Sequence, residues 1–453
     1  MTERDATLVL DIGKTNCKLT LIDVDGATLA EQRCPNAILY EGQYPHHDTE
    51  RIWDWMLTTC RAFAKIAKVG AIVPVTHGAT AALVNSKSLV LPVLDYESTL
   101  PEQVNAQYGE VRPPFEETYS PALAAGLNLG RQLEWLSTRF PTEFGRAQYI
   151  LMYPQYWAWR LSGVLASEVT SLGCHTDLWD PKRQDYSSLV AQRGWRELFP
   201  PIQPASAVLG ALLPELVALT GLPADCKVLC GIHDSNASLL RYLDGNVGAV
   251  LSTGTWVIAA SFGTPLDALC ERADMLANTN ALGEPVACMR FMGGREFGVL
   301  AGPNPEMCTL QDLQHIIDEG IFALPCFAQS GGPFSGRVGS ITGPRPRTAK
   351  EWYALATIYT ALMSDYCLEA LNARGVVALE GSFSVNPHFP AVLALLRQGQ
   401  KIVVSNDANG TICGGWKLHR QLAISVAFNS IEAQALDLVG LHDYQARWRV
   451  LLD

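Results

Sequence analysis

Apolar and polar positions alternate with period two at the start of the chain and change to a helical period after residue 48, which predicts a mixed α/β unit. Residues 7–12 are apolar like a buried strand, and residues 17–23 alternate Leu19 and Leu21 with Lys18 and Thr20. Asp25 and Gly26 give a turn signal into a third strand over 28–33. Asp48 is placed to cap a helix from 49 to about 68, along which Ile52, Met56, Cys60, Phe63 and Ala67 recur at helical spacing. Residues 71–75 then read as a buried strand ending in Thr76, His77 and Gly78. Helices are expected over 130–139 and 153–161, the second stopped by Ser162 and Gly163, and a short strand over 227–231 leads to His233 and Asp234.

The second half repeats this grammar. A strand over 247–251 enters a small-residue turn, Ser252, Thr253, Gly254 and Thr255, and a strand over 256–261 returns from it. A long helix over 349–373, a strand over 376–379, a helix to about 398 and a strand over 401–405 follow. Strand, turn and strand at the head of each half suggest an ancient duplication with its boundary close to residue 240, giving domains 1–240 and 241–453.

Composition narrows the classes. At about 150 residues per domain, 453 residues make two or three domains. The chain is 48% hydrophobic and 17% charged, a profile of large buried cores that excludes disorder. Its 34 Lys and Arg against 45 Asp and Glu leave a net charge of −11, which speaks against nucleic-acid or anionic-membrane partners. No run of about 18 apolar residues occurs, and the polar start at Met1 carries no secretory leader. The 12 cysteines are scattered without a CxxC pair, as reduced thiols rather than zinc ligands. These features point to a soluble cytoplasmic protein. Oligomeric state leaves no signature, and a homodimer stays open.

Candidate chemistry gathers at three turns. Gly13, Lys14 and Thr15 echo the end of a P-loop, but Leu8 stands where that motif needs glycine, and a strand rather than a helix follows. A GxGxxG dinucleotide fingerprint is absent too. Instead, Gly13 lets backbone approach a phosphate, Thr15 and Asn16 offer donors, and Lys14 and Lys18 offer positive charge. Asp11, at the strand end, can hold Mg²⁺ directly or through water. Gly254 and Thr255 form a second such turn, and the two turns facing each other across a cleft would clasp a nucleotide tail. Asp234, flanked by the small residues Ser235, Asn236 and Ala237, is a candidate general base for a sugar hydroxyl attacking a γ-phosphate, or else a helix cap. His233 is a candidate ligand contact or a core residue.

Together, the strings Leu10 to Lys18, Gly231 to Ser235 and Leu251 to Trp256 resemble the FGGY carbohydrate kinases of the actin/hexokinase/Hsp70 superfamily, closest to the rhamnulokinases and related ketose kinases. Tyr153 to Gly163, Thr279 with Asn280, and Met292 with Gly293 support the likeness. The resemblance implies an α/β fold of two actin-like (ribonuclease H-like) domains flanking a deep catalytic cleft, sugar on the N-terminal side and MgATP on the C-terminal side. It implies Asp234 as general base and His77, Gly78, His233, Ser235 and Asn280 on the sugar. It further implies Asp11 organising Mg²⁺; Gly13, Lys14, Thr15, Asn16 and Lys18 at the first phosphate turn; Gly254 and Thr255 at the second; and Gly381 and Asn386 near the nucleotide. Ser382 and Phe383 stand where the family uses glycines, so Phe383 either stacks on adenine or blocks it. The leading expectation is ATP-dependent phosphorylation of a ketose of the rhamnulose, fuculose, xylulose or ribulose class. A phosphohydrolase and a catalytically silent sugar or nucleotide sensor are the alternatives.

Overall fold

Three antiparallel strands, β1 (Asp5–Ile12), β2 (Asn16–Asp23) and β3 (Thr28–Pro35), open the chain. The P-loop alternative ends there, because the segment after Gly13 is a strand. The computed structural model describes residues 5–243, 245, 247–328, 331–405, 409–420 and 430–452, so the polar start over 1–4 lies outside the described residues. Asp48 caps the next helix, accepting the Arg51 N–H, but that helix (Thr49–Phe63) stops short of residue 68. Lys68 is already paired with Asp5 in a parallel ladder, and strand pairing overrides the helical period.

That ladder brings β4 (Lys68–Thr76) beside β1. β5 (Val208–Ala211), β6 (Lys227–Leu229) and β7 (Ile232–His233) complete a sheet of order β5–β6–β4–β1–β2–β3, with β7 pairing β4 beyond β6. Strand β1 is buried on both faces. Leu8 and Leu10 join Ile52 and Met56 in one core, while Val9 joins Val73, Val75, Ile412 and Trp416 in another. Each such aliphatic side chain contributes about 1.5–3 kcal/mol on burial.

Two compact units result. The first comprises Met1–Asp244, Ala277–Pro285 and Asn409–Val426; the second comprises Gly245–Leu276, Val286–Ala408 and Ala427–Asp453. Two segments from late in the sequence therefore fold with the first unit. One is the helix Gly410–His419, whose Gly414 and Gly415 allow close approach: a Cβ on Gly414 would lie 2.0 Å from the Ala237 carbonyl oxygen, and one on Gly415 would lie 2.7 Å from Val9. The Trp416 indole N–H donates to the Asp23 carbonyl at 2.8 Å.

The second unit repeats the plan with β8 (Val247–Thr253), β9 (Val257–Phe262), β10 (Pro285–Phe291), β11 (Val376–Gly381) and β12 (Ile402–Ser405) in the order β10–β9–β8–β11–β12. Three antiparallel strands are followed by two parallel ones, as in β3–β2–β1–β4–β6. No helix among the described residues is long and apolar enough to cross a membrane.

Candidate active site

Adjacent parallel strands end together, and this is what gathers chemistry in the first unit. Ile12 of β1 is opposite Thr76 of β4, and Thr76 is opposite His233 of β7. Asp11, His77, Gly78 and Asp234 therefore cluster at one carboxyl edge, where open α/β sheets bind ligands.

The turn after β1 is braced from behind. Gly13 N–H bonds the Asn16 carbonyl at 3.0 Å. Asn36 takes two of the turn's carbonyls, its backbone N–H on Thr15 at 2.9 Å and its side-chain amide on Gly13 at 2.8 Å. Those carbonyls face protein, while Thr15 and Asn16 are exposed. Lys18, the cross-strand partner of Asp11, holds its ammonium 3.8 Å from the Asp11 carboxylate. Lys14 departs from the expectation of a phosphate contact. Its ammonium binds Asp95, lies 3.4 Å from Glu97 and stands over the Tyr96 ring, because two carboxylates attract it more strongly than open solvent.

Burial, together with the charge of Asp234, pushes the Asp11 carboxyl up to about 7, with Lys18 opposing. A divalent cation there would offset the charges of Asp11 and Asp234. Among the described residues, no cluster of three or more His, Cys, Asp or Glu could hold a metal alone. Asp11 fits Mg²⁺ completed by water and phosphate oxygens, the usual mode for that ion.

Asp234 opens the short helix Asp234–Leu239 but does not cap it; His233 occupies the cap position. Its Oδ1 receives the Ser235 N–H at 2.6 Å and the Ser235 hydroxyl at 3.3 Å, and lies 3.2 Å from His233 Nε2. Its Oδ2 has no partner among the described residues, and the side chain stays 29% exposed. Burial pushes this carboxyl up to about 6, against the pull of the Ser235 bonds. Gly78 is required by the neighbouring ring, since a Cβ there would lie 2.7 Å from His233 Nε2. His77 is buried, and burial pulls its imidazole down to about 4. Its Nδ1 faces the Gly78 carbonyl at 3.0 Å, a group that only accepts, so Nδ1 carries the hydrogen and the unpartnered Nε2 is a bare acceptor.

Asn280 is in the first unit, yet its amide is consumed by a turn. Its Oδ1 accepts from Leu282 and Glu284 N–H groups at 2.9 and 3.0 Å, and its Nδ2 donates to Glu284 at 3.3 Å.

In the second unit, the turn after β8 presses on two glycines. A Cβ on Gly381 would fall 2.0 Å from the Thr253 carbonyl oxygen, and one on Gly294 would fall 2.3 Å from the Gly254 carbonyl oxygen. Thr253 Oγ1 donates to the Glu380 carbonyl at 2.6 Å and accepts the Phe383 N–H at 3.0 Å, tying the ends of β8 and β11 together. Thr255 stands exposed at the tip. Phe383 is a core residue, 5.2 Å from both the Phe297 and Phe389 ring centres. Asn386 is held by its own turn: its Oδ1 accepts the N–H groups of His388 and Phe389, and its Nδ2 donates to Thr357 at 3.2 Å.

Sequence reasoning missed Asn36, Asp95, Tyr96 and Gly294. Only Gly294, following Gly293, carried a signal, because paired glycines before a helix mark close backbone approach.

Residues 6–240 match the N-terminal domain of the FGGY family of carbohydrate kinases, and residues 246–426 match the C-terminal domain of carbohydrate kinase FGGY. The fold superposes on a carbohydrate kinase from Novosphingobium aromaticivorans with a TM-score of 0.93 at 36% identity, covering 98% of this chain and 100% of that one. A xylulose kinase from Lactobacillus acidophilus shares the fold at 15% identity, with a TM-score of 0.80 over 99% of this chain and 96% of the other. An L-fuculokinase of Salmonella typhi is 29% identical over 266 residues, 56% of each chain, so this chain spans about half the length of that relative. The two sheet-containing α/β units are thus actin-like domains, and the chain belongs to the FGGY family of carbohydrate kinases.

Proposed function

We propose that the protein transfers the γ-phosphoryl group of ATP to a hydroxyl of a ketose of the rhamnulose, fuculose, xylulose or ribulose class, with Asp234 as general base. The likeness to an L-fuculokinase supports the ketose class. The observation that carries the base assignment is the asymmetry of the Asp234 carboxylate: Oδ1 is occupied and Oδ2 is free. A hydroxyl donating to Oδ2 would lose its proton there as its oxygen attacks phosphorus. The turn at Gly13, Thr15 and Asn16 and the turn at Gly254 and Thr255 would each offer donors to phosphate oxygens. Mg²⁺ at Asp11 would neutralise charge developing on the transferring group. On this reading, residues 1–240 supply the sugar side and the base, and residues 241–453 supply the ATP side.

A coupled assay over ketoses, aldoses and polyols tests the proposal. ADP release that depends on one ketose is the expected result. Release without any sugar marks a phosphohydrolase, and tight binding without turnover marks a sensor; either refutes the kinase.

The pH profile gives a second prediction. Asp234 works ionised, and burial sets its carboxyl at about 6. Its titratable neighbours are Asp11, His233 and Tyr96. Sugar kcat/KM at saturating MgATP should rise tenfold per pH unit below about 6 and level off above it. An acid limb near the ordinary aspartate range, about 4, would contradict the base assignment.

A further inference from the structure

We propose that Asn236 is a positioning residue: it fixes the tautomer of His233 and thereby decides whether an N–H or a lone pair meets the Asp234 carboxylate. The inference rests on the reading of Asp234 as base, and it begins from the orientation of a buried amide. Asn236 is 1% exposed, and its side-chain nitrogen lies 3.3 Å from the Thr170 carbonyl oxygen and 3.1 Å from His233 Nδ1. A carbonyl only accepts, so the group facing it is the NH₂, and a flipped amide would set oxygen against oxygen. The same NH₂ therefore faces Nδ1, which must be the unprotonated, accepting nitrogen.

Burial pulls the His233 imidazole down to about 4, so near neutral pH the ring carries one hydrogen, and that hydrogen is on Nε2. There it lies beside Asp234 Oδ1, with Nε2 3.2 Å from that oxygen. The two Ser235 donors fill Oδ1, the Nε2 hydrogen adds positive charge beside it, and Oδ2 is left as the basic oxygen. The opposite tautomer would set Nδ1–H against the Asn236 NH₂ and an Nε2 lone pair against Oδ1, and both contacts repel.

The backbone is anchored to match. The His233 N–H donates to Thr170 Oγ1 at 3.1 Å, and the Thr170 hydroxyl donates to Glu168 Oε2 at 2.6 Å. Glu168 also accepts the Thr170 N–H at 3.0 Å. The absent Cβ of Gly78 gives the ring its space. Asp11 from β1, His77 after β4, and Tyr96 are the titratable groups around the pair.

Long-range ¹H–¹⁵N correlation on histidine-labelled protein reads the tautomer directly, with the His233 signal assigned by its loss in His233→Asn. Wild type should show a single ring proton, on Nε2; a proton on Nδ1 would overturn the proposal without any variant having to fold at Asn236. Asn236→Asp places an acceptor opposite Nδ1, which should gain a proton, while kcat falls about tenfold or more and sugar KM stays within about threefold. Asn236→Ala, which removes the donor and adds no acceptor, should fall between the two. A folded Asn236→Asp enzyme with wild-type kcat would also refute the role. If wild type phosphorylates no sugar, the kinase reading fails, while the tautomer measurement still decides the Asn236 contact.

Discussion

Asp234→Asn should lower sugar-dependent ADP release by about 100- to 10,000-fold, the range a positioned general base supplies. That loss corresponds to about 2.7–5.4 kcal/mol of transition-state stabilisation. The substitution is nearly isosteric, and an asparagine oxygen can still receive the Ser235 donors that now hold Oδ1. What changes is the second position, where an amide nitrogen replaces the free basic oxygen. Sugar KM should therefore move little while kcat collapses, the signature of an interaction made in the transition state. ATP affinity, measured by calorimetry, should stay within about twofold. An unchanged kcat would remove Asp234 from the chemistry and leave its raised carboxyl as a consequence of burial alone.

The parts of this site that were legible in sequence are those where a turn or strand end is written in consecutive residues. Asp11 to Lys18 announces a strand, a glycine bend and a returning strand, and Gly231 to Ser235 announces a strand end followed by small residues. What sequence could not show is how side chains are spent. Lys14 next to Gly13 reads as a phosphate ligand until the chain beyond β4 brings Asp95 and Glu97 into reach. Asn280 and Asn386 occupy family positions, yet their amides satisfy backbone N–H groups of their own turns, as buried polar groups must. Phe383, where a glycine is expected, reads as stacking on adenine or blocking it, and only the packing of Phe297 and Phe389 shows it to be core. The helix Gly410–His419 is the clearest long-range case. Nothing local in Gly414 and Gly415 says that they lie against Ala237 and Val9, beneath the element that carries Asp234.

Gly381→Ala should damage the other half of the chemistry, raising the KM for ATP and lowering the melting temperature by on the order of 10 °C. Gly381 has φ +90° and ψ −156°, a region essentially reserved for glycine that costs an L-residue about 1–3 kcal/mol. Its new methyl would also fall 2.0 Å from the Thr253 carbonyl oxygen and 2.8 Å from the carbonyl carbon. Backbone cannot rotate away as a side chain can, so the ends of β8 and β11 must separate, at about 1–3 kcal/mol more. Thr253 immediately precedes Gly254, and the bonds from Thr253 Oγ1 to Glu380 and from the Phe383 N–H to Thr253 Oγ1 would stretch with that separation. The turn proposed to meet phosphate would then be displaced at its root, with Asp234 untouched in sequence. Gly263→Ala isolates the backbone term, because Gly263 has φ +86° and nothing within 4 Å of an added Cβ. It should cost about 1–2 kcal/mol of stability and leave the KM for ATP unchanged. Equal effects of the two substitutions on that KM would mean that the Gly254 turn is not what Gly381 protects.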